Sequence, residues 1–408
     1  MKLAVGVLYT LLPVLVLFTI ASLFTPYVAH FSNSGMLASE LVSGFILLLV
    51  MTLSLQFNHS RIFFALVSLA GLCTGILLLN QHHSAFVHEA LNATLCLFIP
   101  LNLLVFSFSQ ERGIFSHYGG LRFALLSFEL CCISVLIVFH ATPVIEALQV
   151  KFVHSRILNH TPITQPGLLL LGGGLILLND RLILRHSAEL AAFFLAIVSV
   201  GVMLHRQDDA TMVVFAAAVA IGFGHAVIQE SWNMAYLDEL TGLPGRRALE
   251  EQMRQLSGHY VISMVDVDHF KRFNDTYGHD VGDQVLRFVA SRLQKRAGSG
   301  KPFRYGGEEF CILYPAKYPN EAITTLEALR ADIESCSFEM RKQERRTDNN
   351  DSPQKPTEDP GPLSITVSIG IAGGLPGDND PWTVLKSADK ALYAAKHGGR
   401  NQVCVTRG

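Results

Sequence analysis

Eight apolar stretches, at about residues 3 to 23, 37 to 56, 62 to 79, 91 to 109, 121 to 140, 167 to 184, 190 to 205 and 211 to 228, constrain this chain more than any other feature. Most reach the ~20 residues that a helix needs to cross a bilayer. In lipid each backbone polar group must be satisfied within its own segment, so such runs are read as helices. Charge placement agrees: of the 66 Asp, Glu, Lys and Arg residues, 18 fall in the first 229 positions. The chain therefore divides into an apolar half and a charged, mixed half, and the change in composition marks the boundary. Eight spans are expected, with six or seven as alternatives, because Asn179-Asp180-Arg181 trims the sixth stretch and the seventh is short.

With eight spans and a cytoplasmic start, the inner segments carry Lys2, Arg61, Arg112, Arg122, Arg181 and Arg185, and the outer loops Lys151, Arg156 and Arg206. This excess follows the positive-inside rule and places the charged half in the cytoplasm, beneath a bacterial cell membrane. The first stretch is longer than the apolar core of a signal peptide and lacks a small-x-small cleavage site, so it is expected to be retained. Cys73, Cys96, Cys131 and Cys132 lie within the stretches and read as small buried hydrophobes. His82, His83, His88 and Glu89 form a loop cluster that suits either metal binding or plain solvation. Gly172-Gly173-Gly174 reads as close helix packing. Glu129 is the main charged residue within a span, weak support for a transporter. The organisation expected is a multi-span domain over 1–228, a linker or stalk helix over 229–237, and a catalytic domain over 238–408.

In the second half, Arg304-Tyr305-Gly306-Gly307-Glu308-Glu309-Phe310 sets two carboxylates directly after a Gly-Gly turn. Glycines let a ligand approach the backbone, and adjacent carboxylates supply hard oxygen ligands for Mg²⁺; Gly-Gly between apolar strands is also the mark of a plain hairpin. Tyr260 to Val265 is a short β-branched run that ends in Asp266-Val267-Asp268, a buried strand with carboxylates at its edge. A buried, unpaired carboxylate is costly unless a cation compensates it. The remaining pattern predicts helix 281–296, strand 302–305, a hairpin, strand 308–314, helix 319–338, strand 364–372, helix 381–397 and a short last strand. Together these make a βαββαβ, ferredoxin-like, palm-like α/β core. Residues 341–362 are nearly devoid of apolar side chains and read as a disordered surface insertion.

Five segments in order carry a family resemblance: Asp238-Glu239-Leu240-Thr241-Gly242-Leu243-Pro244-Gly245-Arg246-Arg247, Asp266 to Asp275, Gly278 to Asp283, the Gly-Gly-Glu-Glu-Phe hairpin, and Ser368-Ile369-Gly370-Ile371-Ala372 with Ala388 to Asn401. They resemble the signature motifs of GGDEF-domain diguanylate cyclases, in the GGEEF variant, over roughly residues 237 to 405. Gly245 departs from the family, which usually has Asn there. The resemblance implies Mg²⁺-dependent condensation of two GTP molecules into cyclic di-GMP with release of two pyrophosphates. Mn²⁺ is an alternative metal, a homodimer the active form, and attachment or biofilm formation the usual output. Nucleic acid is not an expected partner.

By family position Glu308 and Glu309 are catalytic, and Asp266, the Val267 carbonyl, Glu308 and Glu309 hold the metal. Lys271, Lys396 and Arg400 bind the triphosphate, Asn274 and Asp283 the guanine, and His269 and Phe270 line the substrate site. An acceptor-only Asp283 suits the N1 and N2 hydrogens of guanine and argues for GTP. Ala297 and Gly300 stand where the family's RxxD product-inhibition motif has Arg and Asp, so feedback through that site is expected to be lost. No phosphodiesterase segment is expected. The competing reading is a catalytically silent module that binds GTP or cyclic di-GMP.

Overall fold

The structure, a computed structural model, describes residues 2–81, 84–155, 160–185, 187–315, 319–338, 363–374 and 380–406. His82, His83, Arg156 and the insertion at 341–362 lie outside the described residues. The chain forms two compact units, Met1–Ser231 and Trp232–Gly408.

In the first unit, eight helices are long and apolar enough to cross a membrane: α1 (Lys2–Val28), α2 (Asn33–Gln56), α3 (Ser60–Gln81), α4 (Ala85–Phe108), α5 (His117–Val138), α7 (Gln165–Arg185), α8 (Ala188–Arg206) and α9 (Asp209–Tyr236). A short α6 (Thr142–Leu148) follows α5 and falls in no expected stretch. Helices α3, α4, α8 and α9 are mostly buried within the unit, while α1, α2, α5 and α7 turn most of their apolar surface outward. The inner core includes Phe64, Phe106, Phe193 and Phe223, all fully buried. Such packing suits helices in hydrocarbon, where an outward Leu or Phe costs nothing.

Two readings of this half are corrected. Of the three consecutive glycines, only Gly174 is a close-packing point: a Cβ there would meet Leu104 at 2.8 Å, whereas at Gly172 and Gly173 it would meet nothing within 4 Å. Among the cysteines, Cys96 is buried, Cys73 and Cys132 are half-buried and Cys131 is exposed, because α5 faces outward along most of its length.

The second unit begins within the end of α9, which runs without a break to Tyr236. It continues through α10 (Arg246–Arg254), β1 (Tyr260–Val267), α11 (Phe270–Tyr277), α12 (His279–Arg296), β2 (Lys301–Gly306), β3 (Glu309–Tyr314), α13 (Pro319–Ser335), β4 (Ser337–Phe338), β5 (Leu363–Ser364), β6 (Val367–Gly374), α14 (Pro381–His397) and β7 (Val403–Val405). Five strands form a mixed sheet in the order β2-β3-β1-β6-β7, with β1 antiparallel to both neighbours and β6–β7 parallel. Val261, Val265 and Val267 of β1 join Val285, Val289, Leu326 and Ile333 in one core, and Ile262 and Met264 join Leu249, Val384 and Leu392 in another. Burial on both faces explains why Tyr260 to Val265 is apolar at every position but Ser263. At Gly370 a Cβ would lie 2.0 Å from the Leu392 backbone nitrogen, so the glycine is what lets α14 rest directly on β6.

The expected helix 319–338 ends at Ser335, and Ser337–Phe338 instead pairs with Leu363–Ser364. Phe338 turns inward to pack on Phe288, ring centroids 5.9 Å apart. The expected strand 364–372 is split accordingly, and its main part is β6. Helix α11 was not expected from periodicity, because eight residues carry too little of it.

Candidate active site

The site is built at the end of β1. Asp266 is 3% exposed, with Glu309 of β3 opposite on one side and Ser368 of β6 on the other. The ladder closes with Val267 N donating to the Glu308 carbonyl at 3.3 Å. The next residue, Asp268, accepts from Thr366 Oγ1 at 2.8 Å, Ser368 Oγ at 2.6 Å and Asn401 N at 3.0 Å. Its carboxylate is therefore a structural tie between β1, β6 and the Gly399-Arg400-Asn401 turn.

His269 then takes a left-handed backbone, φ 58°, which turns the chain sharply into α11. The start of α11 lines a cleft of about 350 Å³ walled by Asp266, Val267, His269, Phe270, Lys271, Arg272, Asp275, Glu308, Lys396 and Arg400. Amide groups at a helix start favour anions, and four cationic side chains surround them. Arg400 and Asn401 both have positive φ, 64° and 46°. That turn is held by Arg330 Nη1 donating to Asn401 Oδ1 at 2.8 Å and Asn401 Nδ2 donating to Glu334 Oε1 at 2.7 Å.

Lys396 Nζ lies 2.7 Å from Asp266 Oδ2. Burial pushes the Asp266 carboxyl up to about 6. Lys396 opposes that rise, while the nearby charges of Glu308 and Glu309 add to it. One lysine does not offset the acidic groups that meet here, so the site suits a further cation. Among the described residues no three acidic, His or Cys side chains form a metal cage by themselves. A Mg²⁺ ion is normally held by one or two carboxylates together with substrate phosphates, so the residues present fit it.

Of the expected site residues, the structure gathers Asp266, Val267, His269, Phe270, Lys271, Glu308, Lys396 and Arg400 around one cleft. Glu309 is not on its wall: an Oε2 atom of Glu309 lies 3.5 Å from where a Cβ on Gly306 would stand, so the side chain leans on the hairpin. Glu308 stands in the turn before β3 and Glu309 opens the strand, so the two side chains leave the hairpin from different backbone geometries. Asn274 on α11 and Asp283 on α12 also lie off this wall, and Asn274 Oδ1 is buried with no hydrogen-bond partner. Such an orphaned acceptor is what a ligand donor would satisfy. Ala297 ends α12 and is buried. Gly300 packs so closely on β3 that a Cβ would stand 2.5 Å from the Tyr314 ring.

Residue reading missed a brace behind the hairpin. Arg304 Nη1 donates to both Asp238 oxygens at 2.8 and 2.9 Å, Arg304 Nη2 donates to the Gly307 carbonyl at 2.8 Å, and Arg304 N donates to the Pro244 carbonyl at 2.8 Å. Asp238 also accepts from Thr241 N and Oγ1 at 2.8 and 2.6 Å. Burial works to raise the Asp238 carboxyl, but the Thr241 and Arg304 hydrogen bonds more than offset it, holding it below the usual carboxylate value. The signal was present in the two motifs themselves, an acid opening one and an arginine opening the other.

Residues 235–352 match the family described as Diguanylate cyclase, GGDEF domain. Diguanylate cyclase DgcP of Pseudomonas aeruginosa is 36% identical over 189 residues, 44% of this chain and 25% of that protein. Diguanylate cyclase VdcA of Vibrio cholerae is 37% identical over 173 residues, 41% of this chain and 46% of the relative. The chain thus spans about a quarter to a half of the length of these curated relatives. Among solved structures, the coiled coil and GGDEF domain of DgcB from Caulobacter crescentus, in complex with c-di-GMP, is 34% identical; the match covers 44% of this chain and 90% of that one, with a TM-score of 0.38.

Proposed function

The second unit of this chain belongs to the GGDEF family of diguanylate cyclase domains, and on that premise we propose that the protein is a membrane-bound, Mg²⁺-dependent cyclase that condenses two GTP molecules into cyclic di-GMP. The observation that carries this is the cleft in which buried Asp266 and half-buried Glu308 share a wall with Lys271, Lys396 and Arg400. A silent binding module needs the cations but has no use for a buried carboxylate set beside a second acid.

In each of the two steps a ribose 3′-oxygen attacks an α-phosphorus, a P–O bond forms, the α–β bridge breaks and pyrophosphate leaves. Glu308, the hairpin acid that lines the cleft, is assigned to accept the 3′-hydroxyl proton. Asp266, the Val267 carbonyl and Glu308 would hold Mg²⁺, with Glu309 as an outer ligand or orienting group. A bound divalent ion supplies charge neutralisation at the reacting oxygens. Lys271, Arg400 and the start of α11 fix the β and γ phosphates, and Lys396 holds the Asp266 carboxylate in place. Asn274 and Asp283 offer acceptors to the guanine edge, which adenine would leave unpaired.

Each catalytic unit holds one GTP, so the catalytic units of two chains must face each other and a homodimer is the active form. The eight apolar helices anchor the protein as a multi-pass membrane protein, with the catalytic unit on the Lys/Arg-rich, cytoplasmic side. Ala297 and Gly300 leave the product-inhibition site without its charged pair. Attachment or biofilm formation is the proposed output.

The test is turnover by the full-length chain in lipid nanodiscs with GTP and Mg²⁺, assayed for cyclic di-GMP beside Glu308→Gln. Product that falls on the order of 100-fold or more in the variant supports the assignment. GTP binding by a folded dimer that makes no product would sink it in favour of the silent module.

A further inference from the structure

Helix α5 buries only Gly119, Arg122 and Glu129, so it turns a carboxyl group inward from the middle of an apolar stretch. Glu129 is 6% exposed and its neighbour Asn102 on α4 is 1% exposed. Asn102 Nδ2 donates to Glu129 Oε2 at 2.7 Å. The remaining oxygens of the same two groups, Glu129 Oε1 and Asn102 Oδ1, are both buried with no hydrogen-bond partner. If the carboxyl were ionised, both would be acceptors without a donor, in an interior where an unsatisfied polar atom is costly and an unpaired charge more so.

The helices packed on α5 do not supply a counter-charge. From α3 come Arg61 and Cys73, from α4 His88, Glu89 and Cys96, from α6 Glu146, and from α5 itself His117, Arg122, Cys131 and Cys132. Arg61 is paired with Glu111 and Glu189. Arg122, two turns before Glu129, donates to Ser60 Oγ, to Ser109 Oγ at 2.8 Å and to the Gln110 carbonyl at 2.8 Å. Among the described residues, no ion pair reaches Glu129. A single proton resolves the whole arrangement. Placed on Oε1 it removes the charge and turns one orphan acceptor into a donor for the other, because a carboxylic acid and a primary amide complement each other through two hydrogen bonds.

We propose that Glu129 and Asn102 form a proton-binding site between α4 and α5, in which the Glu129 carboxyl is protonated at neutral pH and donates to Asn102 Oδ1. The protein itself provides the burial, so the inference stands independently of the cyclase assignment. Loss of the proton would leave a bare carboxylate between the two helices and push them apart. The loop that joins them carries Glu111, which accepts from Ser60 N at 2.7 Å and Arg61 N at 3.2 Å at the start of α3. A change in protonation thus has a route from α4 and α5 into the inner helices.

The experiment is infrared spectroscopy of the full-length chain in lipid nanodiscs at pH 7. Subtracting Glu129→Gln from wild type should reveal the carbonyl band of a protonated carboxyl group, and Asn102→Leu, which removes its partner, should shift that band. Should Glu129→Gln fail to assemble, the wild type minus Asn102→Leu difference reads the same shift. No protonated-carboxyl band at pH 7, a band that ignores Asn102→Leu, or a band abolished by Na⁺ at constant pH would each overturn the proposal, the last by showing a metal-cation site.

Discussion

Helices α5 and α12 are built inside out relative to each other. On α12 the buried residues are Gly282, Val285, Leu286, Val289, Ala290 and Leu293, and Arg287, Lys295 and Arg296 face outward. On α5 the buried set holds both of its charged residues, Arg122 and Glu129, while Leu121, Phe128, Leu130 and Val138 are exposed. Each helix hides what its solvent rejects: water drives apolar groups inward, whereas hydrocarbon is indifferent to Leu and penalises charge. The same chain therefore obeys two packing rules, and the change from one to the other coincides with the rise in charge density after residue 229.

The largest effect that would break this contrast is a charge placed in the water-driven core. Val289→Asp puts a carboxylate at a fully buried position of α12 and should unfold the second unit, at a cost of ~3–5 kcal/mol. Circular dichroism of the full chain and loss of GTP binding would report it; a variant that still binds GTP would contradict the packing described here.

A sharper comparison uses one substitution type on two exposed surfaces. Leu130→Asp on α5, where Leu130 is 65% exposed, should cost ~2.5–3.5 kcal/mol in a bilayer. Arg287→Asp on the outer face of α12 should stay within ~0.5 kcal/mol. Thermal unfolding in nanodiscs measures both, and equal losses would refute the idea that the two faces meet different solvents.

The smallest effect concerns the brace behind the hairpin. Asp238→Asn should cost ~1 kcal/mol, since the pair is partly open to water, and should lower kcat with little change in fold. The folded-state carboxyl lies below its usual value, so its contribution is fully present above the unfolded value of ~3.9 and is lost as pH falls through the lower folded one. The stability gap between wild type and variant should accordingly be flat from neutral pH to about 4 and close below that. A gap that widened with acid would exclude the assigned sign.

Much of the site was legible because its chemistry sits in contiguous motifs. Asp266 and the Glu308-Glu309 pair stood out from local patterns, Lys271, Lys396 and Arg400 from the family resemblance of their motifs, and Asp266, Lys271, Glu308, Lys396 and Arg400 line one cleft. The separation of Glu308 from Glu309 was not legible, because it depends on which way each side chain leaves the hairpin. Nor was Asp268 recognisable as a tie, since its three donors lie about a hundred residues or more away. In the apolar half, three glycines in a row looked alike, and only packing against Leu104 singled out Gly174.

By itself the sequence determined what is periodic or contiguous: the eight apolar helices, the order of the main strands and helices of the second half apart from α11 and the β4–β5 pair, and the acidic and basic residue types that the cleft would use. Hydrophobic period and turn chemistry act over a few residues, and a reader of the chain has access to them. Only the tertiary structure decided the sheet order, the Asp238–Arg304 brace, the Asp268 tie and the pairing of Glu129 with Asn102. These rest on contacts between residues far apart in the chain, whose energy depends on burial and on the partner that happens to face them.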